Sequence, residues 1–410
     1  MNETLNGLCN FITSILIVRF LGPENFATWG IVLLILGYGE SFGRLKVDVA
    51  SVYIAGVSGR RSIGDILFSV NIITLFSSFL IISVFLVSSE VIFKFLFKSF
   101  ETIPIELVFP ICSIFFIQGF FLNYIYIFLA KERSFIYGFI TFIRSLIFLF
   151  LVLWLFLIDS LTIESLVNSV LYSYIPTLLF LIFYFQIKFG HSFNYSKKYF
   201  HALLESGSQY YLMGIGSQIN LSMPLIIASQ FLSPVGIGIF TVAKNLSEMI
   251  FSRISSAFHT ILYSYISNSS DSKKENIIIT AKAFIILFLL LSLIYVVFLL
   301  YSEFIVGLLY GEQFSDVSDL LGIIMIGYVL YYSSLVFNNY LYGIGRIQRL
   351  KYFYFSVAFL QYLLGFIFIL VGSIVDLSYV SMTSMGTLSL IFLLYFVYVC
   401  KDSKIEKVTS

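Results

Sequence analysis

The sequence predicts an all-α polytopic membrane protein, with twelve transmembrane helices in two six-helix halves around a central cavity and both termini cytoplasmic. Three observations predict it. Of 410 residues, 59% are hydrophobic and only 11% charged, against about 25% charged in an average soluble domain. Mean hydropathy is +0.98, and a chain of this kind cannot cover its own surface with polar groups, so its solvent is lipid. The apolar residues come in continuous runs rather than in alternation, which excludes an outer-membrane barrel. The basic residues gather in alternate connections between the runs.

A helix needs roughly 20 mostly apolar residues to cross a bilayer, and polar clusters divide the chain into twelve such runs. The first, 4–22, is the most polar, with Asn6, Asn10, Thr13 and Ser14; the second, 26–44, leads to Arg44, Lys46, Arg60 and Arg61. Runs 65–88 and 104–129 lead to Lys131 and Arg133, and runs 139–158 and 164–187 to Lys188, Lys197 and Lys198. Runs 208–230 and 238–266 lead to Lys273 and Lys274, with Lys282 just inside the ninth run, 278–300. Run 318–343 then reaches Arg346, Arg349 and Lys351, and runs 353–372 and 377–400 end at Lys401, Lys404 and Lys407. With the N-terminus inside, these stretches hold eighteen of the 24 lysines and arginines, as the positive-inside rule requires. The N-terminus has no basic stretch and no small-residue cleavage site, so its first run is expected to be a retained span.

Several function classes drop out. No connection is long enough to hold a soluble catalytic domain, and no phosphate-binding GxxxxGK[ST] loop is present. Cys9, Cys112 and Cys400 form no cluster with each other or with the scattered His191, His201 and His259, so metal sites and disulfides are not expected. A net charge of +2 gives no basic surface for nucleic acid.

The chain repeats itself. Phe20-Leu21-Gly22-Pro23 precedes the second run and Phe231-Leu232-Ser233-Pro234 the eighth; Asn123-Tyr124-Ile125-Tyr126 closes the fourth and Asn339-Tyr340-Leu341-Tyr342 the tenth. The two pairs share nearly one offset and one topological position. Residues 1–187 therefore form an N-terminal half, 188–207 a cytoplasmic connector and 208–410 a C-terminal half. An even number of spans gives both halves the same orientation. Paired halves without an energy-coupling domain read as a secondary transporter working by alternating access.

Those residues carry a resemblance. Arg19-Phe20-Leu21-Gly22-Pro23-Glu24 after a polar first span is matched by Leu232-Ser233-Pro234-Val235-Gly236-Ile237-Gly238-Ile239-Phe240, followed by Ala243. Leu308-Leu309-Tyr310-Gly311-Glu312-Gln313-Phe314 then leads towards Gly343-Ile344-Gly345-Arg346. In order and spacing they resemble the polysaccharide transporter family, the Wzx-type O-antigen flippases of the multidrug/oligosaccharidyl-lipid/polysaccharide exporter superfamily, over essentially the whole chain. The resemblance implies a non-enzymatic flippase in the bacterial inner membrane. Its cargo would be an undecaprenyl-pyrophosphate-linked oligosaccharide, for O-antigen or a related surface polysaccharide. It implies no bound cofactor, any coupling being to a proton or sodium gradient. The implied partners are the lipid-linked glycan, membrane lipids, and the polymerase and chain-length machinery of the pathway.

Such a cargo needs cations for its diphosphate and polar groups for its sugars. At about 100° per residue, Thr241, Lys244, Glu248, Ser252, Ser255 and His259 share one face of the eighth run. Gly37, Glu40, Arg44 and Asp48 align on the second; Tyr211, Gly214, Gln218, Ser222 and Ser229 on the seventh; Asn6, Asn10 and Thr13 on the first. The resemblance implies that these helices line the cavity. Arg253 lies near the centre of its run, opposite Lys244, with no carboxylate three or four residues away. The candidate cavity residues are thus Arg253, Lys244, Glu248, Arg44, Glu40, Arg144, Lys282, Gln218 and Asn10. Several have a plainer reading. Glu40–Arg44 and Lys244–Glu248 are also spaced as self-neutralising i,i+4 pairs, and Arg44 and Arg144 are placed to snorkel. Asn71 reads as interhelical glue, and Tyr124, Tyr126, Tyr340 and Tyr342 as interfacial belts. Two other functions fit the architecture: a cation-coupled multidrug exporter of the same superfamily, and a membrane-embedded polysaccharide polymerase or ligase.

Overall fold

The structure is a computed structural model and describes residues 2–57, 62–100, 104–130, 134–189, 194–268, 273–344, 349–369 and 373–401. Among them the regular structure is all helical. The helices are α1 (Asn2–Gly43), α2 (Val47–Val57), α3 (Ile63–Leu96), α4 (Val108–Ala130), α5 (Ser134–Leu157), α6 (Ile163–Phe189), α7 (Lys197–Phe231), α8 (Pro234–Asn268), α9 (Lys273–Tyr310), α10 (Val317–Gly343), α11 (Leu350–Ile369) and α12 (Ile374–Lys401). Ten helical stretches among the described residues are long and apolar enough to cross a membrane. In that set α1 is a single stretch, and α8, which carries Lys244, Glu248 and Arg253, is absent.

α1 is broken at Gly22, whose backbone (φ 69°, ψ 174°) is not helical. A residue with a Cβ is strained at that positive φ, and glycine is not. Pro23 then starts the second arm, where its missing N–H costs nothing. An unbroken helix of 42 residues would run about 63 Å, roughly twice the hydrocarbon thickness. The counterpart at Ser233-Pro234 solves the same problem differently. α7 stops at Phe231, α8 begins at Pro234, and the Gly236 N–H donates to Ser233 Oγ at 3.3 Å, an N-cap.

The chain divides into two compact units, Met1–Gln218 and Ile219–Ser410. In the first, α4 packs on α2, α3 and α6, with Ile66, Val70, Phe121, Ile125, Phe128 and Leu181 among its buried core. In the second, α10 is enclosed by α8, α9 and α12, and its Tyr328, Val336 and Leu341 are fully buried. α9 is the reverse, with a long exposed face of Ile, Leu and Val suited only to lipid.

The repeat reappears as packing. Tyr124 on α4 meets Phe185 on α6 edge to face, with centroids 5.6 Å apart and planes at 90°. Tyr340 on α10 meets Phe396 on α12 in the same way, at 5.1 Å and 84°. This corrects the reading of Tyr124 and Tyr340 as interfacial belts. Tyr124 and Tyr340 are buried, locking the fourth helix of each half to the sixth, because a ring edge packs favourably on a ring face. The side chain of Tyr342 lies outside the description. Asn71 does act as glue: the Asn123 amide donates to Asn71 Oδ1 and to Thr74 Oγ1, each at 3.0 Å, tying α4 to α3.

Candidate functional site

Each unit contains a polar cluster. In Met1–Gln218 it forms where α1 gives way to α2. α1 ends at Gly43, and Leu45 and Lys46 take positive φ (49° and 53°) before α2 starts. Glu40, Arg44 and Asp48 therefore do not lie along one continuous helix face, as their spacing suggests; they straddle a break. The Arg44 guanidinium closes it, donating to Glu40 on α1 and to Asp48 on α2, with Nε on the Glu40 carbonyl at 3.0 Å. Arg44 is 3% exposed and Asp48 is fully buried, so Arg44 does not snorkel. Burying these charges is costly, and mutual neutralisation offsets the cost.

Gln118 on α4 donates to the other Glu40 oxygen at 2.5 Å, while Asp48 Oδ1 has no hydrogen-bond partner among the described residues. The arrangement holds two carboxylates against one guanidinium, with Lys46 alongside. Burial, together with the Arg44 charge, lowers the Lys46 ammonium below the usual lysine range. The Lys46 stem lies along Gly214 of α7, where a Cβ would come within 2.7 Å of it, and Gln218 packs over Gly37 in the same manner, at 2.8 Å.

Among the described residues Arg144 on α5 makes no ion pair, and its guanidinium carbon lies 4.7 Å from the centre of the Tyr174 ring on α6, a cation–π contact. Tyr174 is buried and lies within electrostatic range of Glu40 and Arg44. Asn10 donates to Asn6 at 3.2 Å, and Asn6 accepts from Ser145 on α5 at 2.5 Å. Asn10 thus belongs to an α1–α5 seam.

In Ile219–Ser410 the cluster, among the described residues, is a single pair. Lys244 Nζ bonds Glu248 Oε2 at 2.9 Å, with the lysine side chain 10% and the glutamate 32% exposed. Tyrosines of α10 border it. Tyr328 stacks on Tyr332 at 5.7 Å, Tyr331 meets Tyr332 edge-on at 5.1 Å, and both Tyr328 and Tyr332 feel the Glu248 charge. Ser255 on α8 donates to the Tyr332 carbonyl at 2.8 Å, and Asn338 donates to Tyr354 on α11 at 3.2 Å. The Tyr328 hydroxyl is buried without a partner among the described residues.

Arg253 lies on the other side of α8 from Lys244 and is exposed. Among the described residues it makes no ion pair, and neither does the exposed Lys282 on α9. The side chain of His259 lies outside the description. The sequence-predicted set therefore falls into parts: Glu40 with Arg44 and Asp48, Lys244 with Glu248, Arg144 on its ring, Gln218 over Gly37, Asn10 in its seam, and Arg253 and Lys282 exposed. Sequence reasoning missed Gln118, although an amide in the middle of the apolar run of α4 was a usable signal. It also missed Tyr174, Tyr328, Tyr331 and Tyr332, for which a chain with 28 tyrosines gives no signal.

A family model described as "Polysaccharide biosynthesis protein" matches residues 16–319. Among solved structures, the chain is similar to an inward-facing multidrug resistance MATE family transporter of the MOP superfamily. The TM-score is 0.80 at 15% identity, covering 99% of this chain and 96% of the other. It is similar to the lipid II flippase MurJ in an inward closed conformation, with TM-score 0.76 at 15% identity, covering 97% and 86%. It is also similar to a MOP superfamily transporter from Pyrococcus furiosus described as having a binding pocket of reversed polarity, with TM-score 0.71 at 14% identity, covering 99% and 94%. At these identities the likeness shows the fold, that of MOP-superfamily transporters. No curated protein matches the chain.

Proposed function

The chain belongs to the polysaccharide biosynthesis protein family, and on that premise we propose that it is a flippase. It would carry an undecaprenyl-pyrophosphate-linked oligosaccharide across the bacterial inner membrane for O-antigen or a related surface polysaccharide. In this reading the two arms of α1 and the charged α8 complete twelve spans. Both termini are cytoplasmic, and residues 1–187 and 208–410 form the two halves joined by 188–207. A proton or sodium gradient supplies the energy, no covalent chemistry is required, and the product passes to the polymerase and chain-length machinery.

The observation that carries the proposal is Arg253. It is exposed near the middle of a 35-residue helix and has no ion pair among the described residues. A charged group at bilayer depth costs about 2.5–3.5 kcal/mol on insertion scales. It is retained where it meets water or an anion, and a guanidinium matches a diphosphate in geometry as well as in charge. Arg44 and Lys244 are already neutralised, so they shape the site and Arg253 and Arg144 are left for the anion. Arg253→Ala is expected to abolish surface polysaccharide while the membrane abundance of the protein stays normal. Normal polymer from that strain would remove Arg253 from the mechanism and leave the anionic cargo without its main support.

One observation favours a second reading, a cation-coupled multidrug exporter: Glu40 and Asp48 share the single Arg44, and Glu40 is partly exposed. Growth with and without the gene in the presence of cationic dyes separates the two, because only the exporter changes dye tolerance.

A further inference from the structure

The two units share a further repeat. Ser89-Glu90-Val91-Ile92-Phe93-Lys94-Phe95-Leu96-Phe97 at the end of α3 is matched, 213 residues later, by Ser302-Glu303-Phe304-Ile305-Val306-Gly307-Leu308-Leu309-Tyr310 at the end of α9. Exposure agrees along the match. Glu90 and Glu303, Val91 and Phe304, and Phe95 and Leu308 are exposed, whereas Phe93 and Val306, and Phe97 and Tyr310, are buried. At the same offset, exposed Phe76, Leu80, Val84 and Val87 on α3 correspond to exposed Leu289, Leu293, Val297 and Leu300 on α9. At 100° per residue these positions make one stripe on each helix, and it runs on into the matched segment.

Both helices are longer than the hydrocarbon core is thick. α3 has 34 residues and α9 has 38, which is about 51 and 57 Å at 1.5 Å per residue, against about 30 Å of hydrocarbon. α9 is interrupted by non-helical backbone at Tyr301 (φ −125°, ψ 18°), just where its matched segment begins. In each segment the exposed surface is split. One flank is polar, with Glu90 bonded to Lys94 at 2.6 Å in the first and Glu303 in the second. The other flank is apolar, Val91–Phe95 or Phe304–Leu308. An apolar strip beside a charged strip, continuous with a lipid-facing stripe and lying past the hydrocarbon, is what an interfacial helix presents.

We propose that residues 89–97 and 302–310 are membrane-surface segments, each seating its apolar flank in the headgroup–acyl boundary and holding its charged flank in water. Their headgroup preferences differ. Lys94 and Lys98 on the first are replaced by Gly307 and Gly311 on the second, so the first favours anionic headgroups and the second does not.

The test is spin-label depth in the full chain, with the three native cysteines replaced by alanine, in vesicles of phosphatidylethanolamine and phosphatidylglycerol. Labels at Val91→Cys, Phe95→Cys, Phe304→Cys and Leu308→Cys are expected to report a depth between two references. The deep references are labels at Phe79→Cys and Leu293→Cys; the aqueous ones are labels at Lys94→Cys and Glu303→Cys. The proposal is overturned if the labels of either segment match the aqueous references, because the segment then stands in water. It is equally overturned if they match the deep ones, because the helix then simply ends within the membrane. Dipolar broadening at position 91 or 304 would overturn it too, by showing that a second copy covers the face. Exchanging phosphatidylglycerol for phosphatidylcholine is expected to shift labels 91 and 95 outward and leave 304 and 308 in place. Equal shifts in both segments would remove the charge distinction.

Discussion

Among the described residues, the paired charges of the Met1–Gln218 cluster bridge a broken helix, whereas those of the Ile219–Ser410 cluster are an i,i+4 pair bordered by tyrosines. The frames around them correspond: a helix restarted at a proline, an aromatic edge joining the fourth helix of the half to the sixth, and an exposed stripe on the third. The contents do not. Arg44 holds two helices across a turn that contains two left-handed residues, so it is a fastener as much as a charge. Lys244–Glu248 spans one turn of an intact helix and fastens nothing. An internal repeat therefore preserves backbone breaks and packing contacts, and leaves the polar lining free to diverge within the limit that buried charge must be balanced.

This contrast is open to measurement. The largest effect is expected from Arg44→Met, which leaves Asp48 buried without its cation. Losing one partner of a buried pair costs about 3–5 kcal/mol, and thermal unfolding of the detergent-solubilised protein should show it. An unchanged melting temperature would make the two clusters alike. Phe185→Leu and Phe396→Leu should each lose the edge-to-face term, about 0.5–1.5 kcal/mol, and should lose similar amounts. Clearly unequal losses would mean that the Tyr124 and Tyr340 contacts are not equivalent fasteners. The smallest effect belongs to Lys244–Glu248. With a third of the glutamate exposed, a double-mutant cycle using Lys244→Met and Glu248→Gln should return a coupling of about 0.5–1 kcal/mol. A coupling as large as the Arg44 loss would erase the difference between the units.

Much of the frame was legible. Long apolar runs, Gly22-Pro23 and Ser233-Pro234 all act through local chemistry, that is, lipid solvation, a positive φ and a missing N–H. α2 was not anticipated, because Leu45 and Lys46 take backbone conformations their residue types do not advertise. The ends of α3 and α9 run beyond the apolar runs 65–88 and 278–300, since a helix continues through Ser89-Glu90 or Ser302-Glu303 when its buried face still has a neighbour. In the clusters, helical spacing found Glu40–Arg44 and Lys244–Glu248, which need only their own segment. Gln118 against Glu40, and Arg144 over Tyr174, join segments far apart in the chain, and no periodicity carries that.

What the sequence determined by itself is the solvent, the helical class, the doubled frame and the residues too polar for lipid, because each follows from composition or from neighbours within a turn or two. Helical spacing pairs Lys244 with Glu248 and Arg44 with Glu40, and tertiary structure decided what else meets those charges and which cations stay unpaired. Glu40 and Asp48 spend Arg44 while Gln118 holds the other Glu40 oxygen, and among the described residues Arg253 and Arg144 keep no carboxylate. The physical reason is that neutralising a buried charge requires an opposite charge within a few ångströms, and that distance is set by how helices pack, not by the order in which they are written.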